Sequence, residues 1–215
     1  MPDLGDVLDA NVPLPLQQAI HTIFMEEYRL TNADVRRRYG AEEGHDVEPH
    51  LRRANIESRL GELEQIAPGL VKVHVGQNRS GNSFRFLECG SLILTQSYVE
   101  PGSKVPREAA FRNSFAGNLN QPRLFAPDEA ERVAQVQALE KMYSIITHTP
   151  SPHNPAEPSH ISVVFVDAAC RFVASIDLAE RIALNVARAV KVEVVTDRAQ
   201  SRLRRDVAVL VEKKA

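Results

Sequence analysis

The sequence of 215 residues lacks an excess of positive charge. Its 26 Lys and Arg residues stand against 28 Asp and Glu residues, which gives a formal net charge of −2. This balance excludes a protein that binds nucleic acid through its overall charge. A surface for anions must therefore come from the local arrangement of the basic side chains.

Cysteines and long apolar runs are also scarce. The two cysteines, Cys89 and Cys170, form no CxxC motif and have no zinc-type spacing with histidine. No apolar run reaches the roughly 18–20 residues of a membrane span, and the N-terminus has no basic-then-apolar signal sequence. We therefore expect a reduced cytoplasmic protein without a membrane partner.

The first third of the chain has the apolar spacing of helices. Residues 1–13 carry three acids and no base, which predicts a loose acidic lead-in. Apolar residues at three- and four-residue spacing predict a first helix over 16–29. After a break, a short second helix is predicted over 31–40, with Thr31 or Asn32 as its N-cap. A third helix is predicted over 49–66, with a proline at its first position.

The next segment, LVKVHVGQNRSGNSFRFLE, alternates apolar and polar residues on both sides of a hydrophilic loop. Val71, Val73 and Val75 share one face of the first run, and Phe84 and Phe86 alternate with an arginine in the second. This pattern predicts a β-hairpin whose polar tip is rich in turn formers.

Three helices and a hairpin, in the stretch LTNADVRRRYG…RRANIESRLGELEQIAPGLVKVHVGQNRSGNSFRFLE, resemble the winged helix-turn-helix superfamily of DNA-binding domains. The resemblance covers residues 14–88, about a third of the chain. It implies that helix 49–66 enters the major groove and that the wing, 76–82, contacts the duplex beside it. The connection between the second and third helices is longer than the usual three or four residues.

The resemblance also implies a set of DNA contacts. Arginine and asparagine are the residue types that read guanine and adenine edges, and small residues let a groove approach closely. Basic side chains at the end of the second helix and at the wing tip suit phosphates. Arg52 lies nearer the core boundary and suits a phosphate or a pair within the protein. The predicted DNA-binding residues are Arg36, Arg37, Arg38, Arg52, Arg53, Asn55, Ser58 and Arg79.

The rest of the chain predicts an α+β layer fold. A strand over 91–99 and a long connecting segment make up residues 89–126, and a second domain follows over 127–215. That domain starts with a helix whose apolar side includes Tyr143 and Ile146. The runs ISVVFVD and RFVASIDL predict paired strands, Asp177 begins another helix, and VKVEVVTD and DVAVLVEKK predict two last strands. In outline alone it resembles profilin- and PAS-like sensory and dimerisation domains.

Catalytic patterns are weak. His148, His153 and His160 match no standard metal spacing and are expected to be ordinary loop histidines. Asp206 with the terminal EKK resembles the D…ExK arrangement of metal-dependent nucleases, but it lies at the end of the sequence. We therefore predict no catalytic residue, metal or cofactor, and we predict that the basic segment 198–205 is a solvated loop.

Taken together, the sequence predicts a non-enzymatic α+β protein, in which a winged helix precedes a mixed domain. The predicted function is sequence-specific binding of double-stranded DNA by a homodimer, as in a transcriptional regulator. Two alternatives stay open. In one, the protein is an adaptor whose winged helix contacts a protein partner. In the other, the C-terminal domain is a metal-dependent nuclease.

Overall fold

Helices and strands alternate in blocks along the chain. A computed structural model describes residues 3–78, 81–100, 103, 106–120 and 141–189. The helices are α1 (Leu4–Asn11), α2 (Leu14–Arg38), α3 (Ala41–Leu60), α4 (Leu63–Ile66), α5 (Ala110–Leu119) and α6, described over 178–189. The strands are β1 (Lys72–Gln77), β2 (Ser83–Cys89), β3 (Leu92–Tyr98), β4 (Met142–Pro150), β5 (Pro158–Val166) and β6 (Phe172–Asp177). The chain divides into two compact units, Met1–Ala179 and Glu180–Ala215, and all six strands lie in the first.

These strands form one mixed sheet in the order β1 to β6. Neighbouring strands are antiparallel except β3 and β4, which run parallel. The predicted α+β class is therefore confirmed. The domain boundary predicted after residue 88 falls inside this sheet, because β2 pairs with β3 in the register Leu87↔Leu94.

Both faces of the sheet are covered. Helices α1 to α4 pack on one face, where Phe24 and Ile56 meet Leu87 and Ile146 in the larger buried cluster. Helix α5 packs on the other face, where Ala116 joins a smaller cluster that includes Ile93, Tyr143, Ile145 and Val164. Successive strand residues point to opposite faces, so one strand can serve both clusters.

The N-terminal segment is a helix, so the prediction of a loose lead-in is wrong. Asp3 caps α1 by accepting a 2.9 Å hydrogen bond from the Gly5 N–H. Leu8 and Val12, four residues apart, are both buried in the larger cluster. The buried apolar residues and the cap hold this short helix against the core, together with the hydrogen bond from the Ser91 N–H to Asn11 Oδ1 at 2.7 Å.

The break predicted before residue 31 is also wrong, because α2 is one helix of 25 residues. Thr31 and Asn32, the predicted N-caps, bond instead to α3. Asn55 Nδ2 donates to Thr31 Oγ1 at 3.0 Å, and Asn32 Nδ2 donates to Glu48 Oε1 at 3.1 Å. Helices α2 and α3 thus form an antiparallel pair, and the winged-helix arrangement is not confirmed.

The helix predicted over 49–66 starts and ends at other residues in the structure. Helix α3 begins at Ala41, so Pro49 lies inside it, and the acids of its first turn, Glu42 and Glu43, favour this earlier start. The helix ends at Leu60, and the short α4 supplies the last residues of the predicted span. The hairpin that follows is confirmed as β1 and β2.

The later strands agree with the predictions better than the helices do. The predicted strands at β3, β5 and β6 are confirmed, and a helix follows β6. The connecting segment contains α5, whose Phe115 and Ala116 pack on the sheet. Tyr143 and Ile146 lie on β4, so the predicted helix is wrong at that end. Residue Arg79, the predicted helix before residue 141 and everything after 189 lie outside the described residues.

Candidate functional site

A groove runs between α3 and the β1–β2 hairpin. Its α3 wall carries residues at three- and four-residue spacing, which places them on one helical face. The groove has a volume of about 470 Å³. We call it the α3 groove; it is lined by His50, Arg53, Ala54, Glu57, Ser58, Val75, Asn82, Ser83, Phe84 and Arg85.

Glu57 fixes the floor of this groove to the sheet. Its Oε2 accepts a 2.5 Å hydrogen bond from the Arg85 N–H of β2, and its Oε1 accepts a 2.8 Å bond from Gln96 Nε2 of β3. Burial raises the pKa of the Glu57 carboxyl, while these two bonds and the charges of Arg53 and Arg85 oppose that rise. Both oxygens of this acid are therefore engaged within the protein.

A chain of buried hydrogen bonds continues from Glu57 into the core. His148 Nε2 lies 3.0 Å from Gln96 Oε1, and His148 Nδ1 lies 2.7 Å from the Tyr28 hydroxyl. Since Gln96 donates its amide hydrogen to Glu57, its oxygen accepts from His148 Nε2–H, and Nδ1 then accepts from Tyr28. Burial, with a smaller contribution from Arg52 and His160, lowers the pKa of His148 to about 3. His148 is therefore neutral and links α2, β4, β3 and α3.

Arg52 packs against Tyr28, one member of this hydrogen-bonded network. The residue is buried, and its guanidinium lies 4.2 Å from the centre of the Tyr28 ring. Its Nη2 contacts the Glu48 carboxylate and donates to the Pro155 carbonyl at 3.2 Å. Its Nε is buried and has no hydrogen-bond acceptor among the described residues.

A second cavity, of about 340 Å³, opens where β3 and β4 end. We call it the strand-end cleft. It shares four residues with the α3 groove: His50, Arg53, Glu57 and Phe84. The rest of its lining comes from α3, the loop after β1, the ends of β3 and β4, and the start of α5, namely Pro49, Arg52, Asn78, Gln96, Ser97, Tyr98, Ala109, Phe111, Arg112 and His148.

The first turn of α5 brings an arginine and an aromatic ring to this cleft. Phe111 stacks on Phe84 with ring centroids 4.1 Å apart, and the Arg112 guanidinium lies 5.1 Å from the Phe111 centroid. Arg112 donates to Ser97 Oγ at 3.2 Å and to the Arg107 carbonyl at 2.6 Å. Burial lowers the pKa of Arg112, and the charge of Arg53 acts in the same direction.

The predicted DNA-contacting residues are spread over several environments. Arg53 and Ser58 are exposed and line the α3 groove. Asn55 is half-buried, and its amide is bonded to Thr31. Arg52 is buried and bonded within the protein, so it presents no surface to a duplex.

The three arginines at the end of α2, Arg36, Arg37 and Arg38, are exposed. Arg37 and Arg38 pair with Asp34 at 2.5 and 2.9 Å. They line a further groove of about 610 Å³, which includes Ser58 and so adjoins the α3 groove.

Sequence reasoning missed Arg85, Arg112, Gln96 and His148 as site residues. The signal for Gln96 was present, because it is a polar residue inside a predicted strand that is rich in apolar residues. His148 gave no such signal, because it was expected to be a loop histidine, whereas the structure places it, buried, on β4. A buried polar side chain needs a hydrogen-bond partner, so such positions indicate a built network. Arg112 gave no signal, since its segment was expected to be a connection.

Among the described residues, no three His, Cys, Asp or Glu side chains are grouped as a metal site requires. No helix within the described ranges is both long and apolar enough to cross a membrane. Comparisons of this chain with protein-family models, with curated proteins and with solved structures gave no match.

Proposed function

We propose that this protein binds double-stranded DNA through the α3 groove. The observation that carries the proposal is the pair Arg53 and Arg85 on opposite walls of the groove. The acid between them, Glu57, has both oxygens bonded to other groups. Neither guanidinium forms an ion pair within the described ranges, although the charges of both act on Glu57. Two guanidinium groups against one carboxylate leave an excess of positive charge that suits phosphates.

The shape of α3 supports this proposal. Ala54 and Ser58 are small exposed residues between the arginines of the groove and those at the end of α2. A phosphate backbone can approach such a surface closely, with basic groups on both sides. Because the Asn55 amide is occupied, the proposal depends mainly on contacts to the backbone, which supply most of the affinity of such proteins.

In its more specific form, the proposal is that a homodimer recognises a particular DNA sequence and regulates transcription. The test is fluorescence-anisotropy binding to a pool of randomised duplexes at low and moderate salt, followed by sequencing of the bound fraction. A recovered palindrome supports the regulator and the homodimer, whereas salt-sensitive binding without a motif supports backbone contact alone.

The variant Arg53→Ala/Arg85→Ala should lower duplex affinity about tenfold or more. Arg29→Ala is the matched control, since Arg29 is an exposed arginine of α2 that lines neither the α3 groove nor the strand-end cleft. Absence of binding at low salt would overturn the proposal and direct the search towards an acidic protein partner.

A further inference from the structure

We propose that the strand-end cleft is a binding site for the phosphate group of a nucleotide, either free or at the end of a nucleic-acid strand. The cleft lies outside the carboxyl ends of β3 and β4, the parallel pair of the sheet. In open sheets with parallel strands, ligands bind at this edge, because loops and helix termini diverge there and leave a crevice. Its volume, about 340 Å³, lies in the range of small-molecule sites.

The charges of the cleft favour an anion. Arg53 and Arg112 both line it and lie close enough to repel each other. Arg112 is half-buried, and within the described part of the chain it has no carboxylate at ion-pair distance. Glu57 is the one acid among the described lining residues, and its two oxygens are already bonded to the Arg85 N–H and to Gln96. The two guanidinium groups therefore leave an excess of positive charge, and a phosphate can accept hydrogen bonds from both of them.

Two further features of the cleft lining favour an anion. The buried Nε of Arg52, which also lines the cleft, has no acceptor among the described residues. The first turn of α5 contains no acid, and its N-cap, Ala109, provides no side-chain cap. Within the described ranges no side chain caps the start of this helix, so its first N–H groups add positive partial charge at the wall that carries Arg112.

The aromatic side chains indicate that the anion carries a planar group. Tyr98, at the end of β3, is 43% exposed at the cleft. Phe111 is already stacked on Phe84 and flanked by Arg112. Tyr98 packs edge-on against His148, with ring centroids 6.3 Å apart, and keeps exposed surface. Bases stack on such exposed rings with little dependence on base identity, which fits a nucleotide better than a simple phosphate.

This inference goes beyond the proposed duplex binding and does not depend on it. Arg112 lines the strand-end cleft but not the α3 groove, and Arg85 lines the groove but not the cleft. Loss of nucleotide binding and loss of duplex binding can therefore be measured with different variants. Arg112→Ala should act on nucleotide binding, and Arg85→Ala should act on duplex binding.

The experiment is calorimetric titration of the full chain with AMP, adenosine and inorganic phosphate. We expect AMP to bind at least about tenfold more tightly than adenosine, because charge-assisted hydrogen bonds to the phosphate dominate. Arg112→Ala should weaken AMP binding by about tenfold, with Arg85→Ala within about twofold of the wild type. Equal affinity for AMP and adenosine, no binding of either, or equal effects of the two variants would overturn the proposal.

A second variant guards against a folding defect in Arg112→Ala. Tyr98→Ala removes an exposed ring, and it should weaken AMP binding several-fold while leaving inorganic phosphate binding unchanged. An unchanged AMP affinity in Tyr98→Ala would contradict the base-stacking part of the proposal.

Binding of single strands with a 5′-phosphate or a 5′-hydroxyl shows whether the phosphate belongs to a free nucleotide or to a strand end. Tighter binding of the phosphorylated strand than of AMP assigns the cleft to a strand end, and the reverse order assigns it to a free nucleotide.

Discussion

The Tyr28 hydroxyl lies 2.7 Å from His148 Nδ1, although the two residues are 120 positions apart in the chain. Both side chains are buried, and the histidine also packs edge-on against the tyrosine ring. Through this contact α2 is joined to β4, and through Gln96 and Glu57 the same network reaches the floor of the α3 groove. The core and the candidate site are therefore parts of one hydrogen-bonded structure.

Tyr28→Phe should destabilise the protein by about 1–3 kcal/mol, because His148 Nδ1 loses its donor in a buried site. The ring that packs beneath Arg52 is kept, so the loss reports the hydroxyl alone. Urea unfolding of the variant and the wild type measures it. Tyr39→Phe, at a residue that is 40% exposed, is the control and should change the free energy of unfolding by less than about 0.5 kcal/mol.

Stability should fall as the pH drops from about 6.5 towards 3. The folded protein holds His148 neutral, with a pKa of about 3, while the same group in the unfolded chain takes up a proton near pH 6.5. Below that pH the unfolded state binds one more proton, which costs up to about 1.4 kcal/mol of stability per pH unit. His21 and His160 also have lowered pKa values, so they add to the slope in the same direction.

Urea unfolding between pH 7 and pH 5 tests this dependence. In His148→Gln the slope of the unfolding free energy against pH should decrease by up to about 1.4 kcal/mol per pH unit, which corresponds to one proton. His153→Gln, at an exposed loop residue, is the control. Equal slopes in His148→Gln and the wild type would show that His148 does not carry the pH dependence.

Glu48→Ala should destabilise the protein by about 3–5 kcal/mol, because it leaves the Arg52 charge buried without its partner. The two side chains are only 5% and 15% exposed, so water cannot replace the lost carboxylate. Thermal or urea unfolding measures the change, with Glu42→Ala on the exposed first turn of the same helix as the control. Adding Arg52→Met to Glu48→Ala should recover part of the loss; a further loss would contradict this account.

The two thiols should react at very different rates. Burial raises the pKa of Cys89 to about 12, and the residue is fully buried in the larger cluster. Cys170 is only half-buried, and burial raises its pKa as well. In the native protein Cys170 should therefore react slowly with DTNB and release one equivalent of thionitrobenzoate from the reagent. The second equivalent, from the reaction of Cys89, should appear only on unfolding. A fast reaction of the Cys170→Ala variant with DTNB would contradict this prediction, because it would show that β2 opens at Cys89.

The strands were predictable because their polar and apolar residues alternate or form short bounded runs. The hairpin of β1 and β2 is the clearest case, with valines on one face and a polar turn between the strands. Strand β4 was not predictable in this way. It is buried on both faces, so it shows no alternation, and Tyr143 and Ile146 are also three residues apart, as in a helix.

The break in α2 was predicted from residues that prefer caps, and tertiary contacts overrode that preference. Thr31 and Asn32 satisfy their hydrogen bonds on α3 rather than on the backbone of a new helix. Such a choice depends on Glu48 and Asn55, which are distant in the sequence. The candidate site has the same origin, because it joins α3 to β2, β3 and α5. Among its lining residues, only Arg52, Arg53 and Ser58 had been selected from the sequence.

The most direct test of the account is the salt dependence of duplex affinity in the wild type and in Arg53→Ala/Arg85→Ala. Each phosphate contact contributes about 0.9 to the slope of log K against log salt, so the loss of two contacts should lower that slope by about two. Arg29→Ala should keep the wild-type slope. If the double variant and the wild type have the same slope and the same affinity, the α3 groove is not the surface that binds DNA.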